Sequence, residues 1–195
     1  MLSHKKSLDI LRKTNALLEG HFVLSSGLHS SKYIQCAKLL SFPSEAEKIC
    51  KSFAQKIKKS FKKIDLILAP AMGGVIIGYE VGKLLKKETI FCERVKGKFT
   101  LRRGFNIKKG SKVLIIEDVI TTGKSSLECV KLIKRSKATL VGFASIIDRS
   151  TKKTLKIKKK IISHLKIDVP TYKANQLPYK LKSIPITIPG SRFIK

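Results

Sequence analysis

The sequence predicts an α/β fold in which a parallel sheet is flanked by helices, and three observations support this class. Apolar runs of strand length alternate along the chain with longer segments whose apolar residues recur at helical spacing. The apolar run at residues 113–116 does not alternate with polar residues, which is typical of a strand buried on both faces of a parallel sheet. The length of 195 residues suits a single domain over residues 1–195.

The first third of the chain predicts two helices separated by short extended pieces. Apolar residues at helical spacing place a first helix at residues 7–19, which a glycine ends. Glycine and serine turns then separate extended pieces at residues 21–24 and 32–36. A second helix is predicted from residue 41 to about residue 61, because Pro43 and acidic residues suit its first turn.

Strands and helices alternate through the middle of the chain. Strands are predicted at residues 65–69, 89–93, 113–116 and 140–147, and a polar loop at residues 94–109. Helices are predicted at residues 73–87 and behind the threonines, where Leu127, Val130 and Ile133 recur at helical spacing. Such alternation implies crossovers and a ligand crevice at the carboxyl ends of the strands. The lysine-rich and proline-punctuated residues after 150 predict no definite elements.

Composition indicates a cytoplasmic protein. The four cysteines lie far apart without paired spacing, which is typical of free thiols in a reducing compartment. The chain shows no signal-peptide pattern and no apolar run of membrane-spanning length, so we expect no membrane partner. The four histidines show no ligand spacing, and we expect no metal held by protein side chains alone.

The formal net charge of +29 comes from 42 Lys and Arg residues against 13 Asp and Glu residues. Such an excess raises the hypothesis of nucleic-acid binding, because Lys and Arg contacts to phosphate supply most non-specific affinity. The lysines are dispersed along the sequence, and aromatic residues make up only 7% of it, without interleaving with basic residues. We therefore expect a solvated lysine-rich surface rather than a nucleic-acid partner, with a field that attracts polyanionic substrates.

The most informative stretch is VLIIEDVITTGKSS at residues 113–126. A buried strand, a loop of small residues and a helix N-terminus together favour an anion, because backbone N–H groups and the helix dipole point at the loop. Glu117 and Asp118 would repel a polyphosphate, yet they suit the vicinal hydroxyls of a ribose. The stretch therefore predicts a site for a sugar that carries a phosphate.

This stretch resembles the ribose-phosphate motif of type I phosphoribosyltransferases, which bind 5-phosphoribosyl 1-pyrophosphate. The resemblance implies the fold of that family, with two acids on the ribose 2′ and 3′ hydroxyls and a loop around the 5′-phosphate. It also implies a catalytic role for Asp118. The residues implied to bind this substrate here are Glu117, Asp118, Val119, Ile120, Thr121, Thr122, Gly123, Lys124 and Ser125.

Several further segments are similar to orotate phosphoribosyltransferases in both content and order. They lie at residues 21–40, 64–82, 93–105, 146–150 and 189–192. In that family the first of these segments forms part of a hood over the base. The resemblance therefore implies a hood built from about residues 1–40 and the C-terminal tail.

A second loop, at residues 69–74, lies between a predicted strand and a predicted helix. Its backbone N–H groups suit a pyrophosphate, and in the family this loop binds one. Some relatives carry a lysine where this chain has Gly73, so a direct cationic contact is missing here. A tight turn that needs glycine for close packing is the alternative interpretation.

The cation-rich loop at residues 94–104 predicts a lid over a polyanionic leaving group. It resembles the family's catalytic loop, which reaches into the site of the neighbouring subunit. Arg94 and Lys98 fall on its arginine and second lysine, so both are implied to bind the substrate and Lys98 to be catalytic. Val95 and Thr100 stand where well-known members have a lysine and a histidine, and no histidine acid is expected in this lid.

Arg149 follows the last predicted strand, directly after Asp148. A guanidinium there could hold a carboxylate in two parallel hydrogen bonds. In the family this arginine and the first threonine of the phosphate loop, here Thr121, contact orotate. A structural pair between Asp148 and Arg149 is the alternative interpretation.

The resemblance implies an enzyme that joins orotate to 5-phosphoribosyl 1-pyrophosphate, giving orotidine 5′-monophosphate in pyrimidine biosynthesis. It also implies Mg²⁺ carried on the pyrophosphate, and a homodimer in which the lid is shared across subunits. Two alternatives remain open. One is a phosphoribosyltransferase that acts on a purine, and the other is a non-catalytic regulator that senses phosphoribosyl pyrophosphate and binds nucleic acid.

Overall fold

The computed structural model describes residues 1–24, 26–152 and 154–189 of the chain. The helices are α1 His4–Lys13, α2 Cys36–Leu40, α3 Pro43–Ser60, α4 Gly73–Leu85, α5 Lys124–Arg135 and α6 Tyr179–Lys182, with a 3₁₀ turn at Ala174–Gln176. The strands are β1 Leu17–Val23, β2 His29–Ile34, β3 Leu66–Pro70, β4 Glu88–Val95, β5 Lys98–Thr100, β6 Lys112–Ile120, β7 Thr139–Asp148, β8 Ile161–Lys166, β9 Thr171–Tyr172 and β10 Ile186–Thr187.

The central sheet has the strand order β5-β4-β3-β6-β7-β8. All neighbouring strands pair in parallel except β5, which is antiparallel to β4. In β6, Leu114 and Ile116 pack with residues of α3 and α4, and Val113 and Ile115 pack with residues of α5, so apolar side chains fill both faces. Because the strands are parallel, their carboxyl ends and the loops that follow them meet at one edge of the sheet.

A second, smaller sheet joins segments from the two ends of the chain. Its order is β10-β1-β2-β9, in which β1 and β2 are antiparallel and β10 runs parallel to β1. The strand β2 leads into α2, whose buried Cys36 packs with the core on the α3 and α4 side of the main sheet. Its strands come from both parts of the chain that were expected to form the hood. Residues 190–192 of the last motif predicted from the sequence lie outside the described residues.

The first helix is shorter than the sequence pattern predicts, because the chain leaves the helical conformation at Thr14 and Asn15. The Thr14 hydroxyl donates to the carbonyl of Ile10 at 2.8 Å, and Asn15 is left-handed with a φ of 53°. Leu17 and Leu18, which helical spacing assigned to α1, therefore lie in β1 and pair with β2. Two adjacent apolar residues are compatible with both helical spacing and strand alternation, so they did not distinguish a helix from a strand.

The polar loop predicted at residues 94–109 begins as a β-hairpin. Strands β4 and β5 pair through Arg94 with Phe99 and Val95 with Lys98. The turn residues Lys96 and Gly97 have φ values of 48° and 77°, the combination that a tight two-residue hairpin turn requires. The base of the lid is thus ordered on the edge of the sheet.

Part of the positive charge lies where helices end. The last turns of α3 and α5 carry basic residues, at Lys58, Lys59, Lys134 and Arg135. Cations there interact favourably with the negative end of the helix dipole. In the three described ranges, no helix combines the length and the apolar character needed to cross a membrane.

Candidate active site

The motif at residues 113–126 places its two acids on opposite faces of β6. Glu117 faces α5, where the hydroxyl of Ser126 donates to its carboxylate. Asp118 faces α4, and its Oδ1 accepts the backbone N–H of Val119 at 2.9 Å. Both acids lie near the carboxyl end of the strand, so side chains on either face of the strand can reach a ligand that lies beyond this end.

Glu117 is a buried acid with an unusual protonation behaviour. Burial is the main cause that raises its pKa from 4.5 to about 7. The hydrogen bond from Ser126 lowers the pKa, and the nearby Asp118 raises it. Burial also raises the pKa of Asp118, while the N–H of Val119 lowers it. The sequence alone did not indicate a role for Ser126, because nothing in the local pattern predicts its contact with Glu117.

Gly73 makes room for Asp118. A Cβ atom at position 73 would lie 2.5 Å from Oδ2 of Asp118, far inside van der Waals contact. A side chain at position 73 would therefore require the carboxylate of Asp118 to shift from its present position. This contact is a physical reason for the missing lysine at this position, and it brings the loop at residues 69–74 directly beside the acid.

The phosphate loop, defined here as residues 121–126, opens α5. Gly123 is its N-cap with a φ of 73°, and as a glycine it offers no side chain to the first N–H groups of the helix. The Thr122 hydroxyl accepts the N–H of Lys124 at 3.3 Å. Thr121, Thr122 and Lys124 are exposed and Ser125 is half-buried, so the loop is open to a ligand at a helix N-terminus.

Val119 and Ile120 of the motif do not have exposed side chains, so their main-chain atoms are the ones available to a ligand. The side chain of Ile120 is buried in the core, and its carbonyl accepts the N–H of Arg149 at 2.8 Å. Val119 is half-buried beside Asp118. A ligand contact from Ile120 would therefore have to come from its main chain.

Arg149 lies next to the end of β6, because Asp148 is the strand partner of Ile120. Asp148 does not pair with it; Oδ1 of Asp148 accepts the N–H of Ser150 at 2.7 Å. Within the described part of the chain Arg149 forms no ion pair, and its Nε is buried without a hydrogen-bond partner. Burial lowers the pKa of Arg149, whereas the nearby Tyr33 and Cys36 raise it. A guanidinium whose buried Nε has no hydrogen-bond partner among the described residues calls for an acceptor, and an anion would supply one.

The hood contributes two residues to the same place. Tyr33 on β2 and Cys36 at the start of α2 are close enough to affect Arg149 electrostatically. The Cys36 thiol lies 3.8 Å from the carbonyl oxygen of Asp118, and burial raises its pKa well above the ordinary range. The tyrosine-containing segment was expected in the hood, but Cys36 carried no sequence signal that linked it to the site.

The lid cations are not gathered with the acids in this conformation. Arg94 forms an ion pair with Glu128 of α5 at 2.8 Å and stacks on Phe99 at 4.1 Å. Lys98 is exposed on the hairpin, and its ammonium group forms no ion pair among the described residues. Arg103 pairs with Glu93 at 3.1 Å. The structure thus brings together the acids, the phosphate loop and Arg149, and leaves Arg94 and Lys98 on the hairpin.

The site presents no preformed metal cage. Among the residues that the structure describes, no group of three or more His, Cys, Asp or Glu side chains could hold a metal ion. Glu117 and Asp118 lie on opposite faces of β6, since Glu117 contacts Ser126 of α5 and Asp118 lies against Gly73 at the start of α4.

Comparisons with known proteins agree with this geometry. The model of the phosphoribosyl transferase domain family matches residues 41–182. An orotate phosphoribosyltransferase from Erythrobacter litoralis (strain HTCC2594) is 43% identical over 192 residues, which are 98% of this chain and 99% of that protein.

Solved structures share the fold. An orotate phosphoribosyltransferase from Aeropyrum pernix superposes with a TM-score of 0.66 at 22% identity, over 82% of this chain and 92% of that one. An adenine phosphoribosyltransferase from Thermoanaerobacter pseudethanolicus superposes with a TM-score of 0.60 at 16% identity, over 70% and 88% of the two chains. Together with the domain match, these likenesses confirm the predicted fold class, a helix-flanked parallel sheet of the type I phosphoribosyltransferase kind.

Proposed function

The chain belongs to the orotate phosphoribosyltransferase family, and from this premise we propose that it transfers the phosphoribosyl group of 5-phosphoribosyl 1-pyrophosphate to orotate. The products are orotidine 5′-monophosphate and pyrophosphate, in the biosynthesis of UMP. The observation that carries the choice of orotate is the half-buried guanidinium of Arg149 next to the end of β6, whose buried Nε has no hydrogen-bond partner among the described residues. Orotate supplies the carboxylate that this group lacks.

Different residues at the strand ends bind different parts of the two substrates. The phosphate loop and the N-terminus of α5 hold the 5′-phosphate, and Glu117 and Asp118 accept hydrogen bonds from the ribose hydroxyls. The N–H groups at the start of α4 face the pyrophosphate. Thr121 and Arg149 position orotate so that its N1 meets the anomeric carbon. The residues proposed to bind phosphoribosyl pyrophosphate are Arg94, Lys98, Glu117, Asp118, Val119, Ile120, Thr121, Thr122, Gly123, Lys124 and Ser125.

Positioning and charge stabilisation supply the catalysis. As the bond to pyrophosphate lengthens, positive charge develops on the ribose and negative charge on the leaving group. In this proposal the carboxylate of Asp118 stabilises the positive charge on the sugar, and the ammonium of Lys98 compensates the pyrophosphate when the lid closes. Mg²⁺ bound to the pyrophosphate oxygens would neutralise further charge there.

We propose that the working unit is a homodimer in the cytoplasm, a reducing compartment that suits the four free cysteines. One face of α4 exposes Ile76 and Tyr79, whose exposed fractions are 56% and 66%, after Met72 at 85%. Ile76 and Tyr79, together with Leu40 and Pro43, line a cavity of about 330 Å³. A second copy of the chain would cover this apolar surface. It would also supply a polyanion site for Lys98, which has no anionic partner among the described residues of its own chain.

The dimer surface has its own test. Ile76→Glu places a charge in the apolar surface, so light scattering after size-exclusion chromatography should show a monomer. Lys131→Glu, at an exposed position of α5, is the control and should remain dimeric. A wild-type protein that is monomeric at micromolar concentration would contradict the dimer.

The activity is tested by the loss of orotate absorbance in the presence of phosphoribosyl pyrophosphate and Mg²⁺. We expect consumption of orotate, no use of adenine, guanine or xanthine, and loss of the reaction when a chelator removes Mg²⁺. Use of a purine in place of orotate would refute the proposal. A filter-binding assay at physiological salt, with and without phosphoribosyl pyrophosphate, tests the alternative of a nucleic-acid-binding regulator.

Arg149→Ala tests the choice of base directly. Leaving the orotate carboxylate unpaired in a partly dry pocket should cost about 2–4 kcal/mol in orotate kinetics. Binding of phosphoribosyl pyrophosphate, measured by calorimetry, should stay near wild type. Uracil lacks the carboxylate, so the variant should use it about as poorly as the wild type does. An equal loss with uracil and orotate would show that Arg149 is structural.

A further inference from the structure

The segment at residues 154–157, within the lysine-rich region that no sequence pattern explained, lies directly against the phosphate loop. The N–H of Lys156 donates to the carbonyl of Thr122 at 3.1 Å. The side chain of Ile157 covers Gly123 so closely that a Cβ atom on the glycine would lie 2.5 Å from Cδ1 of the isoleucine. Two consecutive residues of this segment therefore contact two consecutive residues of the loop.

The same segment is anchored on its other side. Ile157 is 6% exposed and belongs to the core cluster beneath α5, against which Leu155 also packs. A turn fixes its start: the N–H of Leu155 donates to the carbonyl of Thr151 at 3.0 Å, and the hydroxyl of Thr154 accepts the N–H of Thr151 at 3.0 Å. The segment is thus held by the core while it holds the loop.

We propose that residues 154–157 form a brace that presets the phosphate loop for the 5′-phosphate, with Ile157 as the positioning residue. The inference deepens the proposed function and rests on it. Gly123 has a φ of 73° and, as a glycine, gives up much conformational freedom when it is fixed. Ile157 restricts the glycine, and the bond from Lys156 restricts Thr122 beside it. A loop ordered before the ligand arrives does not lose that freedom on binding.

The brace acts through apolar contact and the main chain rather than through lysine charge. The side chain of Lys156 is exposed, while its backbone N–H makes the contact with Thr122. Lys156→Ala keeps that N–H and removes only the ammonium group. This separates the brace from a purely electrostatic attraction to phosphate.

The test measures ribose 5-phosphate binding by calorimetry and hydrogen exchange of the loop amides at residues 121–126 in the absence of ligand. Ile157→Ala should weaken ribose 5-phosphate roughly tenfold and speed loop exchange, because a misplaced loop loses aligned donors. Ile157→Val, which keeps the branched contact, should restore both. Lys156→Ala should stay within about twofold of wild type for both readouts, the small change expected when only an exposed charge is removed.

Ile90→Ala is the matched control, because Ile90 is 2% exposed in the same core cluster but lies on β4. It should lose comparable stability and leave loop exchange and ribose 5-phosphate binding unchanged. Equal effects of Ile90→Ala and Ile157→Ala, or no effect of Ile157→Ala on the loop, would overturn the brace. So would a loss in Lys156→Ala as large as that in Ile157→Ala. Orotate turnover by the wild type tests the proposed function separately, since loop exchange needs no substrate.

Discussion

We expect Glu117 to make the binding of phosphoribosyl pyrophosphate depend on pH near neutrality, and Glu117→Gln should remove that dependence. Burial raises the pKa of this acid from 4.5 to about 7, with Ser126 lowering it and Asp118 raising it. Ribose hydroxyls donate hydrogen bonds, so the ligand binds the ionised carboxylate better than the protonated one. Glutamine is nearly isosteric, still accepts one hydrogen bond and does not titrate.

The size of the effect follows from the ionised fraction. With a pKa of about 7, roughly one tenth of the Glu117 side chains are ionised at pH 6 and roughly nine tenths at pH 8. The apparent affinity scales with the binding-competent fraction, so wild-type affinity should be about tenfold lower at pH 6 than at pH 8. The variant should bind more weakly than the wild type at pH 8, and its affinity should change little through Glu117 between the two values.

The same shift has a consequence for stability. The folded-state pKa of about 7 lies above the ordinary value of 4.5, so between these values the folded protein binds more protons than the unfolded chain. The contribution of Glu117 is therefore fully present below pH 4.5 and is lost as pH rises through about 7, by up to about 3 kcal/mol. Glu117→Gln should flatten this part of the stability curve.

Isothermal titration calorimetry at pH 6, 7 and 8 measures the affinity, and repeating it in two buffers of different ionisation enthalpy counts the protons released. The phosphates of the ligand titrate near pH 6 as well, but they do so equally in both proteins. The difference between wild type and variant therefore isolates Glu117. Denaturant unfolding over the same range gives the stability curve. Identical pH dependence of binding in the two proteins would refute the reasoning.

Three further outcomes are expected. Asp118→Asn should lower kcat/KM by roughly one to three orders of magnitude with little change in folding, and unchanged activity would remove Asp118 from the site. Lys98→Ala should lower kcat more than it raises KM for phosphoribosyl pyrophosphate. Mixing the Lys98→Ala and Asp118→Asn proteins should restore some activity, because one site of a mixed dimer would have both residues intact. No recovery after confirmed subunit exchange would show that each lid serves the site of its own subunit. Gly73→Ala should displace the Asp118 carboxylate and reduce kcat by at least about tenfold; wild-type kinetics would show that the start of α4 yields without consequence.

The class of fold was predictable, and a candidate sugar-phosphate site could be proposed from the sequence, because both depend on local patterns. The unalternating run before Glu117 requires burial on both faces, which in a single domain of this size favours a parallel sheet. Parallel strands align their carboxyl ends, so the acids, the phosphate loop and Arg149 are brought to one edge by strand order alone. Local spacing predicted the elements less well where the same apolar residues suit both a helix and a strand, as at Leu17 and Leu18. It also missed the hairpin of β4 and β5, which depends on two turn residues.

Only the tertiary structure decided which distant residues touch. Local spacing holds no trace of the contacts between Gly73 and Asp118 or between Gly123 and Ile157, because each joins elements that other strands and helices separate along the chain. It holds no trace of the protonation state of Glu117 either, since a pKa depends on how completely neighbours exclude water from the carboxylate. A sequence pattern reports which faces must be buried, whereas packing determines what each buried group meets.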